Sequence, residues 1–194
     1  MRSMHTRHLN GLLELELADW KVSRVFRIMA FDAGLLTFKD IKFSRSNENQ
    51  VYILITNPKN ALYKTTHYRE PLKRMAQSTH IRLLIFSQKA TVKSVQVFVN
   101  DLSIGFAVQK TLGSPLYTMK WRAQDYLRGI HRMKVVVKDA EGRVYLETQE
   151  FALDDSVKSF KLFPTLLLRG DQIELVSSLS LSLSLSLFLF YHFH

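Results

Sequence analysis

Seven short apolar runs between Val51 and Asp155, separated by turn signals and by no helical stretch of useful length, constrain this chain more than any other feature. They cover 51–56, 80–86, 92–99, 104–108, 116–121, 131–137 and 144–153. Strands at that spacing predict an antiparallel β-sandwich of immunoglobulin type. The sixth run shows the expected alternation, with His131, Met133, Val135 and Val137 on one face and Arg132, Lys134, Val136 and Lys138 on the other. Asn100-Asp101 suits a two-residue hairpin turn, and Asp139-Ala140-Glu141-Gly142 a four-residue loop with glycine where positive φ is wanted. Trp121, Tyr126 and Gly129 form an aromatic corner of the kind found in cysteine-free immunoglobulin-like domains. Architecture alone assigns no activity to such a domain.

Upstream, Gly11 to Trp20 alternates apolar and acidic positions, and apolar runs follow at 25–31 and 35–38. This predicts a three-stranded β-meander with one greasy face carrying Leu13, Leu15, Leu17, Phe26, Ile28 and Ala30. Residues 1–44 supply no layer to cover it, so they are expected to be the terminal strands of a truncated larger domain. The polar stretch 45–50 reads as a linker, 51–155 as the sandwich, and 156–194 as a Leu-rich tail. From Leu175 to His194 that tail has no Lys, Arg, Asp or Glu and is long enough to span a bilayer. Its Ser-Leu alternation fits two readings, a marginal membrane anchor or a translated dinucleotide repeat, and the sequence leaves both open.

The net charge is +10, from 27 Lys and Arg against 17 Asp and Glu. Nucleic acid is not the expected partner, because no helix-turn-helix, zinc-finger spacing or RNP-like strand accompanies the basic residues. Instead Lys59, Lys64, Arg69, Lys73 and Arg74, in a loop leading to a short helix, are expected to contact an anionic surface such as a membrane. The absence of cysteine excludes disulfides and thiolate chemistry. Met1 to His5 has no apolar core of a secretory signal.

Other reactive side chains read as structural. His5 and His8 lack an acidic or cysteine partner close in sequence, and His80 and His131 fall on strands. Ser78-Thr79 beside His80 has no acid to complete a triad. Asp154-Asp155, with Glu150 upstream, reads as a solvated strand end, and Trp20 and Trp121 as core or interface aromatics.

Several separated stretches resemble the transmembrane-protein-sixty-two family, whose plant members are described as calcineurin-like metallophosphoesterases. They are 5–20, Arg27-Ile28-Met29-Ala30-Phe31-Asp32, Ile55-Thr56-Asn57-Pro58-Lys59 and Ser78-Thr79-His80-Ile81-Arg82. The resemblance implies a phosphoesterase domain, then an immunoglobulin-like domain, then transmembrane helices, and a membrane location. It also implies a divalent metal pair in the parent family, built from Asp-x-His, Gly-Asp-x-x-Asp, Gly-Asn-His-Asp/Glu and Gly-His-x-His motifs. None of these motifs is present here, so no catalytic or metal residue is carried over and no cofactor is expected in this chain. The expectation is therefore the C-terminal part of a membrane-associated metallophosphoesterase that keeps its accessory module. The alternative is a non-enzymatic module that binds a protein partner or an anionic membrane.

Overall fold

The alternating runs fold into two four-stranded antiparallel sheets in a computed structural model that describes residues 5–8, 10–44, 50–65 and 70–156. One sheet has the order β5 (Val51–Asn57), β6 (His80–Ser87), β10 (Leu116–Lys120), β9 (Val108–Gln109). The other runs β12 (Val144–Phe151), β11 (His131–Asp139), β7 (Val92–Val99), β8 (Leu102–Phe106). This is the immunoglobulin-like β-sandwich that the strand spacing predicts. Val95, Val97, Met133, Val135 and Val137 face Ile55, Ile81 and Leu83 in a core where each is no more than 2% exposed. Burying each such side chain contributes roughly 1.5–3 kcal/mol, so the alternation itself sets the register.

Two local features depart from simple alternation. The expected strand at 104–108 is divided at Ala107: β8 pairs with β7 in one sheet and β9 with β10 in the other. Ala107 is buried and its N–H donates to the Val95 carbonyl at 2.8 Å, so the chain changes sheets within one residue. Gly105 allows the approach, with φ +140° and a position where a Cβ would lie 3.2 Å from Met119 Sδ. Asn100 and Asp101 both have positive φ, 50° and 66°, between the paired residues Val99 and Leu102, the type I′ geometry that a two-residue hairpin requires.

The upstream segment corrects the meander. β1 (His5–Arg7) pairs only with β2 (Leu13–Leu15), and β3 (Val25–Asp32) only with β4 (Leu35–Lys42), giving two separate hairpins. The run from Gly11 is cut short because the Asp19 carboxylate accepts the Val22 N–H at 2.6 Å and the Ser23 hydroxyl at 3.2 Å, closing a turn. The β3–β4 hairpin lies against the sandwich. Leu35 is 1% exposed within the sandwich core, Phe38 rests 4.4 Å from the Tyr63 ring, and Phe26 stands edge-on to Tyr52 at 6.3 Å. Lys39 donates to the Ile53 carbonyl at 3.2 Å and pairs with Glu147 of β12. Of the face expected to lie uncovered, Leu13, Leu15, Phe26, Ile28 and Ala30 are half-buried, and Leu17 is exposed.

The described residues all fall in one compact unit, 1–158. The Ser-Leu tail lies outside the described residues. Among the described residues, no helix is long and apolar enough to cross a membrane.

Candidate functional site

The segment that links β5 to β6 carries most of the residues singled out by the sequence, and the structure divides them. The loop passes through a 3-10 turn (Ala61–Tyr63) and the short helix α1 (Lys73–Ala76). Met75 of α1 is fully buried beneath it, and the Lys59 N–H points at its sulfur at 3.3 Å.

Lys59 and Lys64 are not surface residues, which corrects their place in the anionic contact. They are 2% and 6% exposed. Lys59 pairs with Glu70, and Glu70 also accepts the Thr65 N–H and hydroxyl at 3.0 and 2.8 Å. Burial pushes the Glu70 carboxyl up, but Lys59 and Thr65 outweigh it and hold it below its ordinary value. Lys64 donates to the Ala152 and Asp154 carbonyls, tying the loop to the end of β12. A lysine that satisfies carbonyls or one internal carboxylate looks, in sequence, like any other loop lysine. Arg69 lies outside the described residues. Lys73 and Arg74 are exposed, and Arg74 also donates to the Ala33 carbonyl at the hairpin tip at 2.9 Å.

Beside α1 packs a second 3-10 turn (Ala123–Tyr126), between β10 and β11, which brings basic residues that sequence reasoning missed. The Arg122 side chain is 81% exposed, Arg128 is exposed, and Leu127 and Ile130 present apolar side chains between and beyond them. The signal was legible in Arg122…Leu127-Arg128-Gly129-Ile130, a loop alternating basic and apolar residues within the aromatic corner.

The nucleophile candidates are structural. Ser78 Oγ donates to the Met75 carbonyl at 2.7 Å and accepts from Asn57 Nδ2 at 3.0 Å and Trp121 Nε1 at 3.2 Å. His80 meets the neighbouring Thr79 hydroxyl at 2.8 Å through Nδ1, and among the described residues no base is hydrogen-bonded to Ser78. His131 sits between Asn100 and the Arg128 carbonyl, both at 3.0 Å, in a ring cluster with Tyr126 and Phe151. Trp121 stacks on Tyr126 at 5.7 Å, as a core aromatic would.

The acidic groups have partners of their own. Asp154 accepts the Gly129 and Ser156 N–H groups at 2.8 and 3.0 Å. Burial raises its pKa, but those donors outweigh it and bring the value down to about 2. His8 pairs with Glu14 at 2.8 Å. Among the described residues no three His, Asp or Glu side chains stand together to hold a metal ion.

Comparison with known proteins places this geometry. The TMEM62 Ig-like domain matches residues 47–157, a span that brackets β5 to β12. Mouse (Mus musculus) "Transmembrane protein 62" is 43% identical over 143 residues, 74% of this chain and 21% of that protein. An Arabidopsis thaliana protein named "Putative metallophosphoesterase At3g03305" is 28% identical over 163 residues, 73% of this chain and 22% of its own length. The chain thus spans about a fifth of the curated relatives it matches. No solved structure matches it. With a family model covering more than half of its residues, the chain belongs to the TMEM62 Ig-like domain family.

Proposed function

We propose that this sandwich is the accessory, non-catalytic module of a membrane-associated protein of the metallophosphoesterase type. The observation that carries the reading is the family match over the whole sandwich, joined to a plant relative whose name gives a metallophosphoesterase. The structural employment of its His, Ser and Asp side chains supports it: Ser78 braces α1, His131 a turn, and Asp154 the Gly129 corner. In this reading the module packs and positions, and phosphoester chemistry belongs to other parts of such proteins. Purified chain incubated with a chromogenic phosphodiester and Mn²⁺ should give no metal-dependent turnover. Turnover abolished by a chelator and restored by metal would overturn the proposal.

A second reading concerns a membrane surface, and the juxtaposition of α1 with the 3-10 turn before β11 favours it. Lys73, Arg74, Arg122 and Arg128 are exposed at one end of the sandwich, together with Leu127 and Ile130. Basic side chains around a few apolar ones suit an anionic bilayer, each charge adding on the order of 1 kcal/mol near the surface. Co-sedimentation with phosphatidylserine vesicles should weaken with salt and with Lys73→Glu plus Arg122→Glu. Equal sedimentation with neutral vesicles would reject the reading.

A further inference from the structure

The β3–β4 hairpin closes in a two-residue turn, Ala33-Gly34, with φ of 53° and 86°, between the paired residues Asp32 and Leu35. That last pair faces the sandwich: Leu35 enters the core, and the Asp32 carboxylate accepts from Arg82 and Thr56. The pair before it, Phe31 and Leu36, points to the opposite face of the hairpin. Phe31 is 79% exposed, the most exposed aromatic side chain among the described residues.

The tip is fastened to the basic surface. Arg74 Nη1 donates to the Ala33 carbonyl at 2.9 Å, and a Cβ on Gly34 would lie 3.0 Å from Pro71 Cγ. The helix α1, with Lys73 and Arg74 exposed, packs in turn beside the 3-10 turn that Arg122 and Arg128 flank. Asp32 is the one acid in 31–36 and 71–77, and it is turned inward onto Arg82. The tip thus offers an aromatic ring, with no outward anion of its own, next to exposed cations.

We infer that this tip is the inserting element of the surface beside α1, with Phe31 entering the apolar layer of an anionic bilayer. On the membrane-surface reading, on which this rests, the cations meet lipid phosphates through a field that salt screens; the ring adds a hydrophobic hold that salt does not weaken. A carboxylate facing outward would be repelled by anionic lipid and costly to desolvate, and the bond from Asp32 to Arg82 removes that obstacle. A bilayer interior offers no partner to an open carbonyl, and Arg74 already supplies one to Ala33. An acidic protein would match the same cations but would need a socket shaped for the ring, which fluid lipid does not.

The test uses the full chain, whose lack of cysteine makes Phe31→Cys a single labelling site for the environment-sensitive fluorophore NBD. With phosphatidylserine vesicles the label should brighten, shift to the blue and be quenched by lipids spin-labelled on their acyl chains. The same label on Leu112→Cys, 95% exposed in the loop before β10, should do none of these. Phe31→Ser should weaken phosphatidylserine-dependent co-sedimentation about tenfold, as expected when one aromatic side chain is no longer buried. Val22→Ser, as exposed as Phe31 but beyond the opposite end of β3, should leave it unchanged. A wild-type chain that ignores phosphatidylserine vesicles would overturn the membrane reading and the anchor with it. Bound protein whose label at residue 31 stays in water, or Phe31→Ser sedimenting as fully as wild type, would overturn the anchor alone and leave the basic surface a contact of charge only, to a bilayer or to an acidic protein.

Discussion

Asp32, the last residue of β3, accepts a hydrogen bond from Arg82 Nε of β6 at 2.6 Å. The same carboxylate accepts the Thr56 hydroxyl of β5 at 2.8 Å, so one side chain fastens the N-terminal hairpin across two strands of the sandwich. Arg82 and Asp32 are 25% and 18% exposed, sheltered enough for the pair to matter and wet enough to moderate its strength. Asp32→Ala should cost about 1–3 kcal/mol, read as a fall in the urea midpoint. An unchanged midpoint would mean that the hairpin adds nothing to the sandwich through this contact.

The buried pair of Lys59 and Glu70 should be costlier to break. Their side chains are 3% and 10% exposed, so Glu70→Ala removes a buried ion-pair partner of Lys59 and the acceptor of the Thr65 N–H and hydroxyl, at about 3–5 kcal/mol. Replacing both, with Lys59→Met and Glu70→Gln, should recover most of that loss, since no charge is then desolvated and the Gln oxygen still accepts from Thr65. Denaturant unfolding of the two variants compares them directly. The Glu70 carboxyl is held below its ordinary 4.5, so its contribution is full above that value and falls away as pH drops through the lower folded value.

Much of the sandwich was legible because period-two alternation is the direct imprint of a face pressed on a core. Met133, Val135 and Val137 are each 0% exposed, as their spacing implied. Asn100-Asp101 likewise announced its own turn, because few residue pairs tolerate two successive positive φ angles. The sheet switch at Ala107 left no such mark: a strand that changes partners keeps its alternation, and only Gly105 hinted at a close approach. Lys59 and Lys64 were misplaced for a related reason. Charge in a sequence shows which side chains need a partner, while burial depends on carbonyls and carboxylates brought together by the fold, such as those of Ala152 and Glu70. The hairpin's cover was illegible too, since Tyr52 and Tyr63, which meet Phe26 and Phe38, come from beyond the polar linker.

Asp154 gives a sharper acid signature. Burial pushes its carboxyl up, the Gly129 and Ser156 donors pull it down more strongly, and the net value is about 2. An unfolded aspartate titrates near 3.9, so the stabilisation is complete above that pH and is lost as pH falls from about 4 to 2. Thermal melts of Asp154→Asn should therefore fall less steeply than wild type over that window and lie below it at neutral pH. Parallel curves for the two proteins would reject the role assigned to the carboxylate.

The sheet switch makes Gly105 the least replaceable glycine of the sandwich. Its φ of +140° lies where side chains are rarely accommodated, and an added Cβ would sit 3.2 Å from Met119 Sδ. Met119 is 7% exposed and belongs to the core, so the sulfur has little room to withdraw. Gly113 also has positive φ, +79°, but a Cβ there would meet nothing within 4 Å. Gly105→Ala should thus cost about 2–4 kcal/mol, combining backbone strain with a crowded contact, whereas Gly113→Ala should cost about 1 kcal/mol from strain alone. Urea unfolding of the two single variants measures the difference. Met119→Ala in the Gly105→Ala background separates the two causes: it should relieve the contact and leave the strain, so the second substitution costs less there than in the wild type. Additive losses would show that the backbone conformation, and not the methionine, is what demands glycine at the crossing from β8 to β9.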